Sequence, residues 1–134
     1  MRIALPIILL AALALAVGFC VQRHNTVTGT ITFQGDPTIP DGAVLTVELR
    51  DVSYQDAAST LIASQTISKP ERFPIDFAVR YQPSDIDPRA TYGLGIRVTR
   101  NDRLIYINDT AFDVLTRGNP THGLNVWVIA VDDP

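Results

Sequence analysis

Thr26-Val27-Thr28-Gly29-Thr30-Ile31-Thr32-Phe33 places four threonines on one side of an extended chain and Val27, Ile31 and Phe33 on the other. Successive side chains of a strand point to opposite faces, so this stretch predicts a strand with one wet face and one buried face. The same period of two recurs three times. Between Val44 and Val52, Leu45, Val47 and Leu49 alternate with Thr46, Glu48 and Arg50. Between Pro74 and Tyr81, Ile75, Phe77, Val79 and Tyr81 alternate with Asp76, Ala78 and Arg80. Between Thr91 and Thr99, Tyr92, Leu94, Ile96 and Val98 alternate with Gly93, Gly95 and Arg97. Leu61 to Ile67, Arg103 to Ile107 and Leu124 to Val131 are shorter or less regular, but rich in the β-branched residues that pack well on a pleated surface.

Turn chemistry separates these runs. Gly35-Asp36-Pro37 and Pro40-Asp41-Gly42 bracket a loop, because proline fixes φ and glycine admits positive φ. Asn101-Asp102 between two arginines fits a two-residue hairpin, since Asn and Asp tolerate the left-handed region. The stretch from Pro83 to Pro88 reads as an ordered loop or one helical turn, and Arg117 to Pro120 as the turn before the last strand. No stretch after the first twenty residues sustains a helical period. The fold expected is all-β, a single antiparallel β-sandwich of about seven strands. In the last strand Trp127 stands opposite Val126 and Val128, and with Ile129 and Val131 on its side it is expected to be core.

The N-terminus is a separate matter. Met1-Arg2 carries one positive charge, and Ile3 to Phe19 is an unbroken apolar run, the layout of a secretory signal peptide. The run is also at the short edge of a membrane span, which needs about 17–25 residues, so an uncleaved inner-membrane signal anchor competes with cleavage. Cys20, the only cysteine, stands where the apolar run stops, the position at which bacterial lipoproteins are lipidated. Phe19 departs from the small residue usual before such a cysteine, and cleavage after Ala16-Val17-Gly18 is the rival. The expected organisation is residues 1–19 as signal peptide, 20–25 as a short tether, and 26–134 as the domain. The protein is expected in the periplasm, held to the outer membrane by lipid on Cys20 if it is so processed, and otherwise soluble there.

Composition narrows the chemistry. A net charge of −3 over 134 residues argues against nucleic acid as a partner, which calls for a basic face. One cysteine and two histidines exclude a disulfide framework and a Cys/His zinc cluster within one chain. His24 lies in the expected tether and His122 in a turn about a hundred residues away, and no Gly-x-Ser-x-Gly motif supports a nucleophile. Asp85 and Asp87 could serve acid/base work or bind calcium, but their setting beside Pro88 is ordinary turn chemistry. Asn108-Asp109-Thr110 matches a glycosylation acceptor and equally marks the end of a strand. No catalytic residue, metal site or cofactor is expected, and the domain is expected to be monomeric.

Arg50, Arg80 and Arg97 all fall on outward faces. Cross-strand ion pairs with Glu48 and Asp76 explain them adequately. The functional alternative is a recognition surface for a carboxylate-bearing partner, using the bidentate guanidinium.

Leu45-Thr46-Val47-Glu48-Leu49-Arg50-Asp51-Val52, followed by Asp56-Ala57-Ala58 and by Ile62-Ala63-Ser64-Gln65-Thr66-Ile67, resembles the YbaY/YscW family of bacterial lipoproteins. The likeness continues through Pro74 to Phe77, Ile86-Asp87, Ile96-Arg97-Val98 and Val114-Leu115-Thr116, and covers nearly the whole of residues 26–131. The resemblance implies a periplasmic β-sandwich lipoprotein of a Gram-negative cell. One branch of that family acts as a pilotin, a chaperone that carries a secretin subunit to the outer membrane, and the other has no settled task. The reading is therefore a noncatalytic binding or chaperone module for an outer-membrane or secretion-system client, captured on a sheet face or by strand addition at an edge. The alternative is a soluble periplasmic domain that acts on, or inhibits, an enzyme of envelope polysaccharide metabolism.

Overall fold

A computed structural model describes residues 25–54 and 56–131. The expected signal peptide, Cys20 and all but the last residue of the expected tether lie outside the described residues. The chain forms β1 (Thr26–Phe33), β2 (Ala43–Asp51), β3 (Thr60–Ser68), β4 (Ile75–Arg80), β5 (Tyr92–Arg100), β6 (Arg103–Ile107), β7 (Asp113–Val114) and β8 (Leu124–Ala130). A single turn of 3₁₀ helix, Pro83–Asp85, is the one helical piece among the described residues. Strand follows strand in the order β3-β2-β5-β6-β8-β1-β4, with the two-residue β7 added beside β5. The sheet curls so far that its two ends approach each other, giving a sandwich that is nearly a closed barrel.

The all-β fold stands, and seven of the strands coincide with the alternating runs to within a residue or so at each end. The pairing is antiparallel except in one place. β1 and β8 run parallel, Gly29 beside Leu124 through Phe33 beside Val128. Parallel neighbours need a long connection between them, and here nearly the whole domain supplies it. β7 has no counterpart in the sequence pattern, because two residues are too few to show a period.

Alternation places the core where it was expected. Val27, Ile31, Leu45, Val47, Leu49, Val79, Ile96 and Val98 have no exposed surface. Burying each such side chain contributes about 1.5–3 kcal/mol. Gly29 interrupts the inward row of β1 for a packing reason. A Cβ there would land on the carbonyl oxygen of Leu124 and within 2.7 Å of its Cβ, so only glycine lets β8 lie this close. At one end of the barrel Phe33, Phe73 and Tyr106 pack with ring centroids 5.0–5.5 Å apart, two of the three contacts being edge-on. Asn101 and Asp102, with φ of 52° and 63°, make the tight β5–β6 hairpin that their residue types indicated.

Trp127 corrects the expectation. It is 53% exposed, with Ile129 at 45% and Val131 at 37% beside it. Val126 and Val128 take the buried side of β8, and among the described residues no second layer covers the other side. An antiparallel sheet needs only one covered face, so an apolar residue on the wet face is left in water.

Candidate functional site

The two ends of the strand order, β3 and β4, are consecutive in the chain yet do not form a backbone ladder. They face each other across an open seam. In the antiparallel β1–β4 pair, alternate residues of β4 turn their peptide groups away from β1. Ala78 is one of these. Its N–H crosses the seam and donates to the side-chain Oε1 of Gln65 on β3 at 2.8 Å. A side-chain amide thus stands where a backbone carbonyl would close the barrel.

β3 is unusual as an edge. Thr60-Leu61-Ile62-Ala63-Ser64-Gln65-Thr66-Ile67-Ser68 contains no charge, no proline and no glycine over nine residues. Natural sheets guard long edges with lysine, proline or bulges, because unpaired N–H and C=O groups template pairing with another chain. Its pairing with β2 has one irregularity, a bulge in β3 itself near its start: Leu49 pairs with Ala63 and Arg50 with Leu61, leaving Ile62 as the extra residue, so the edge is regular from Ala63 to Ser68. The opposing edge, β4, carries Asp76 and Arg80, and Thr30 Oγ1 donates to Asp76 Oδ1 at 3.0 Å.

The three outward arginines are not brought together. Arg50 on β2 is held locally, donating to Glu48 Oε2 on its own strand at 2.9 Å and to the carbonyl of Ser59, just before β3, at 3.3 Å. Arg80 lies on β4 at the seam, in register with Thr26. Arg97 lies on β5, between Thr46 of β2 and Ile107 of β6. They occupy three separate strands, two of them in one wall of the barrel and one in the other.

The acidic pair is divided: Asp85 ends the 3₁₀ turn, its backbone N–H donating to the carbonyl of Gln82 at 3.0 Å, while the carboxylate of Asp87 holds the turn that follows. Asp87 Oδ1 accepts from the backbone N–H of Arg89 at 2.9 Å and from its Nε at 3.5 Å. Those hydrogen bonds, the backbone one foremost, hold its carboxyl below the usual aspartate range. Asp36 is lowered in the same way by the N–H and hydroxyl of Thr38, with a smaller contribution from Arg72. His122 meets Thr28, with Nδ1 3.2 Å from Oγ1. Among the described residues no three His, Cys, Asp or Glu side chains gather as metal ligands.

Two residues carry structure that alternation did not reveal. Gln65 is one. Asn108 is the other, the asparagine of the Asn-Asp-Thr triplet. Its Oδ1 accepts from Ile96 N–H at 2.7 Å and its Nδ2 donates to Leu94 C=O at 3.0 Å. The side chain therefore acts as a peptide group where β6 leaves β5 and β7 has not yet begun. The available signal was a polar amide, within a strand at Gln65 and just after one at Asn108, but the partner of each lies 12–14 residues away on another strand.

This architecture has known relatives. A family model described as type III secretion system lipoprotein chaperone (YscW) matches residues 22–126. The uncharacterized lipoprotein YbaY of Escherichia coli (strain K12) is 34% identical over 99 residues, which cover 73% of this chain and 52% of that protein. The chain thus spans about half the length of that relative. The structure of an alternative pilotin from the type II secretion system of Vibrio cholerae superposes with a TM-score of 0.75 at 30% identity, covering 81% of this chain and 97% of that one. Alike over most of its length in sequence and in fold, the chain belongs to the YscW family of lipoprotein chaperones.

Proposed function

We propose that this protein is a noncatalytic, pilotin-like chaperone that captures an extended segment of an outer-membrane or secretion-system client at the free edge of β3. The observation that carries the reading is the uncharged edge of β3, regular from Ala63 to Ser68, facing an open seam. Main-chain hydrogen bonds from an added strand supply affinity, and pockets for alternate side chains supply selectivity. Gln65, which occupies the seam in the free protein, is displaced as the client strand enters. The name of the Vibrio neighbour and that of the matched family support a client of the secretin type. Lipid on Cys20 would convert capture into delivery to the outer membrane.

The test uses the full chain with its N-terminal segment, expressed in its own host. Outer-membrane proteins are quantified in wild-type cells, in a deletion strain, and in strains carrying Ser64→Lys/Thr66→Lys or Cys20→Ser. Lysines on the edge block strand addition while leaving the buried side of β3 alone. The reading expects one outer-membrane protein to be depleted by the deletion and by both variants. Unchanged client levels in the edge variant would remove strand addition, and unchanged levels in Cys20→Ser would remove delivery by lipid.

A further inference from the structure

On the side of the barrel opposite the seam, three strands place their outward side chains in one row. Arg97 of β5 is in register with Ile107 of β6, and Ile107 with Ile129 of β8. Strands lie about 4.8 Å apart, so the row is about 10 Å long. Trp127 stands two residues before Ile129 on the same face of β8, about 7 Å along the strand. Beyond Arg97 the surface dips into a depression of about 350 Å³ that reaches from Gly95 and Ile107 to Thr110. Gly95 gives it its depth, since a Cβ there would meet nothing within 4 Å.

β6 is paired with β5 and, at Tyr106 and Ile107, with β8, and β8 also pairs with β1. A face, unlike an edge, meets a partner through its outward side chains. The side chains offered are two large apolar ones that are half exposed, a third in register with one of them, and a cation at the end of the row. Among the described residues Arg97 makes no ion pair. Its cross-strand neighbours, Thr46 and Ile107, carry no charge, and Asp109 on the rim of the depression accepts from the hydroxyl of Thr110. At the turn of the same hairpin Arg100 and Arg103 are in register. Arg97, Arg100 and Arg103 outnumber the one acidic residue of the hairpin, Asp102, although the whole chain is net negative. A helix about 10 Å wide matches the length of the row.

We infer that the outer face of β5, β6 and β8 is a second docking surface, for an acidic amphipathic helix of a protein partner. Trp127, Ile129 and Ile107 receive its apolar stripe, and Arg97 receives a carboxylate on its border. The surface stands independently of the β3 edge, on the far side of the barrel.

Trp127 is the only tryptophan in the chain, so its emission reports this face alone. The probes are a synthetic amphipathic helical peptide with leucines on one face and glutamates along their border, and the same peptide with lysines for the glutamates. The glutamate peptide should give a saturable blue shift, and the lysine peptide should bind about tenfold more weakly, as expected for one interfacial charge pair. Arg97→Glu, at an exposed position that leaves the core untouched, should invert that preference. Ser64→Lys/Thr66→Lys should leave the response intact, which separates this surface from client capture at the seam. No shift with either peptide, equal shifts with both, or a preference that Arg97→Glu does not invert would overturn the proposal. A shift produced only by vesicles of phosphatidylethanolamine and phosphatidylglycerol would assign the face to lipid. A shift that grows with protein concentration alone would assign it to a second copy of the chain. Either outcome replaces the acidic helix.

Discussion

Gln65 Oε1 accepts the backbone N–H of Ala78 at 2.8 Å, and this side-chain hydrogen bond spans the gap that keeps the barrel from closing. Replacing Gln65 by leucine keeps the volume and removes the acceptor. The Ala78 amide then faces the seam unpaired, so its hydrogen exchange should accelerate by about an order of magnitude, and global stability should fall by about 1 kcal/mol. Amide exchange followed by NMR would show the effect at Ala78 and not at Val79. Equal protection in the variant would mean that exclusion of water from the seam, not the hydrogen bond to Gln65, protects the amide.

Gly29→Ala should be far more damaging than its single added methyl suggests. The new Cβ collides with the backbone of Leu124, which cannot move without breaking the parallel β1–β8 ladder. The cost is about 1–3 kcal/mol, in the range of overpacked cores, and urea unfolding would measure it. The matched change Gly95→Ala meets open space and should be close to neutral.

Thr116 is a buried polar residue, and its hydroxyl donates to Ala90 C=O at 2.5 Å. Thr116→Val keeps the shape and strands that carbonyl, so a loss of about 1–3 kcal/mol is expected. Thr116→Ser keeps the donor and should retain most of the stability. Equal losses in both variants would show that the methyl, not the hydroxyl, matters.

The pH response has two limbs. Asp36 and Asp87 are held below the usual aspartate value by hydrogen bonds to their ionised forms, with backbone N–H groups the leading cause. The folded state therefore binds fewer protons than the unfolded state, and the stability this confers is present above about pH 3.9 and lost as pH falls through the lowered values. Tyr106 is pushed upward, first by burial among Phe33 and Phe73 and then by Asp36. A raised tyrosine stabilises the fold below its ordinary value of about 10 and ceases to do so as pH rises past it. NMR titration of the carboxyl carbons and of the Tyr106 ring should give midpoints displaced in these opposite directions. Asp36→Asn should bring the Tyr106 midpoint part of the way back down.

Sequence by itself determined the strands, because a period of two is a local property and each alternating run needs only a sheet with one covered face. It also determined the Asn101-Asp102 hairpin, where residue type alone selects the turn, and the family, through the order of short motifs along residues 26–131. It could not determine the order of strands around the barrel. That order comes from which hydrophobic faces meet, and it set β8 beside β1 in parallel, far from where chain order would put it. Gly29 reads as a weak spot in a strand until Leu124 lies against it. Trp127 reads as core on hydrophobicity, and only the absence of a covering layer among the described residues shows it in water. The three arginines share an outward parity, but strand order disperses them, leaving Arg50 paired with Glu48 and Arg97 beside an apolar row. The seam is a property of closure itself. Whether the two ends of a sheet meet depends on the summed twist of seven strands, and no single segment of the chain carries that information.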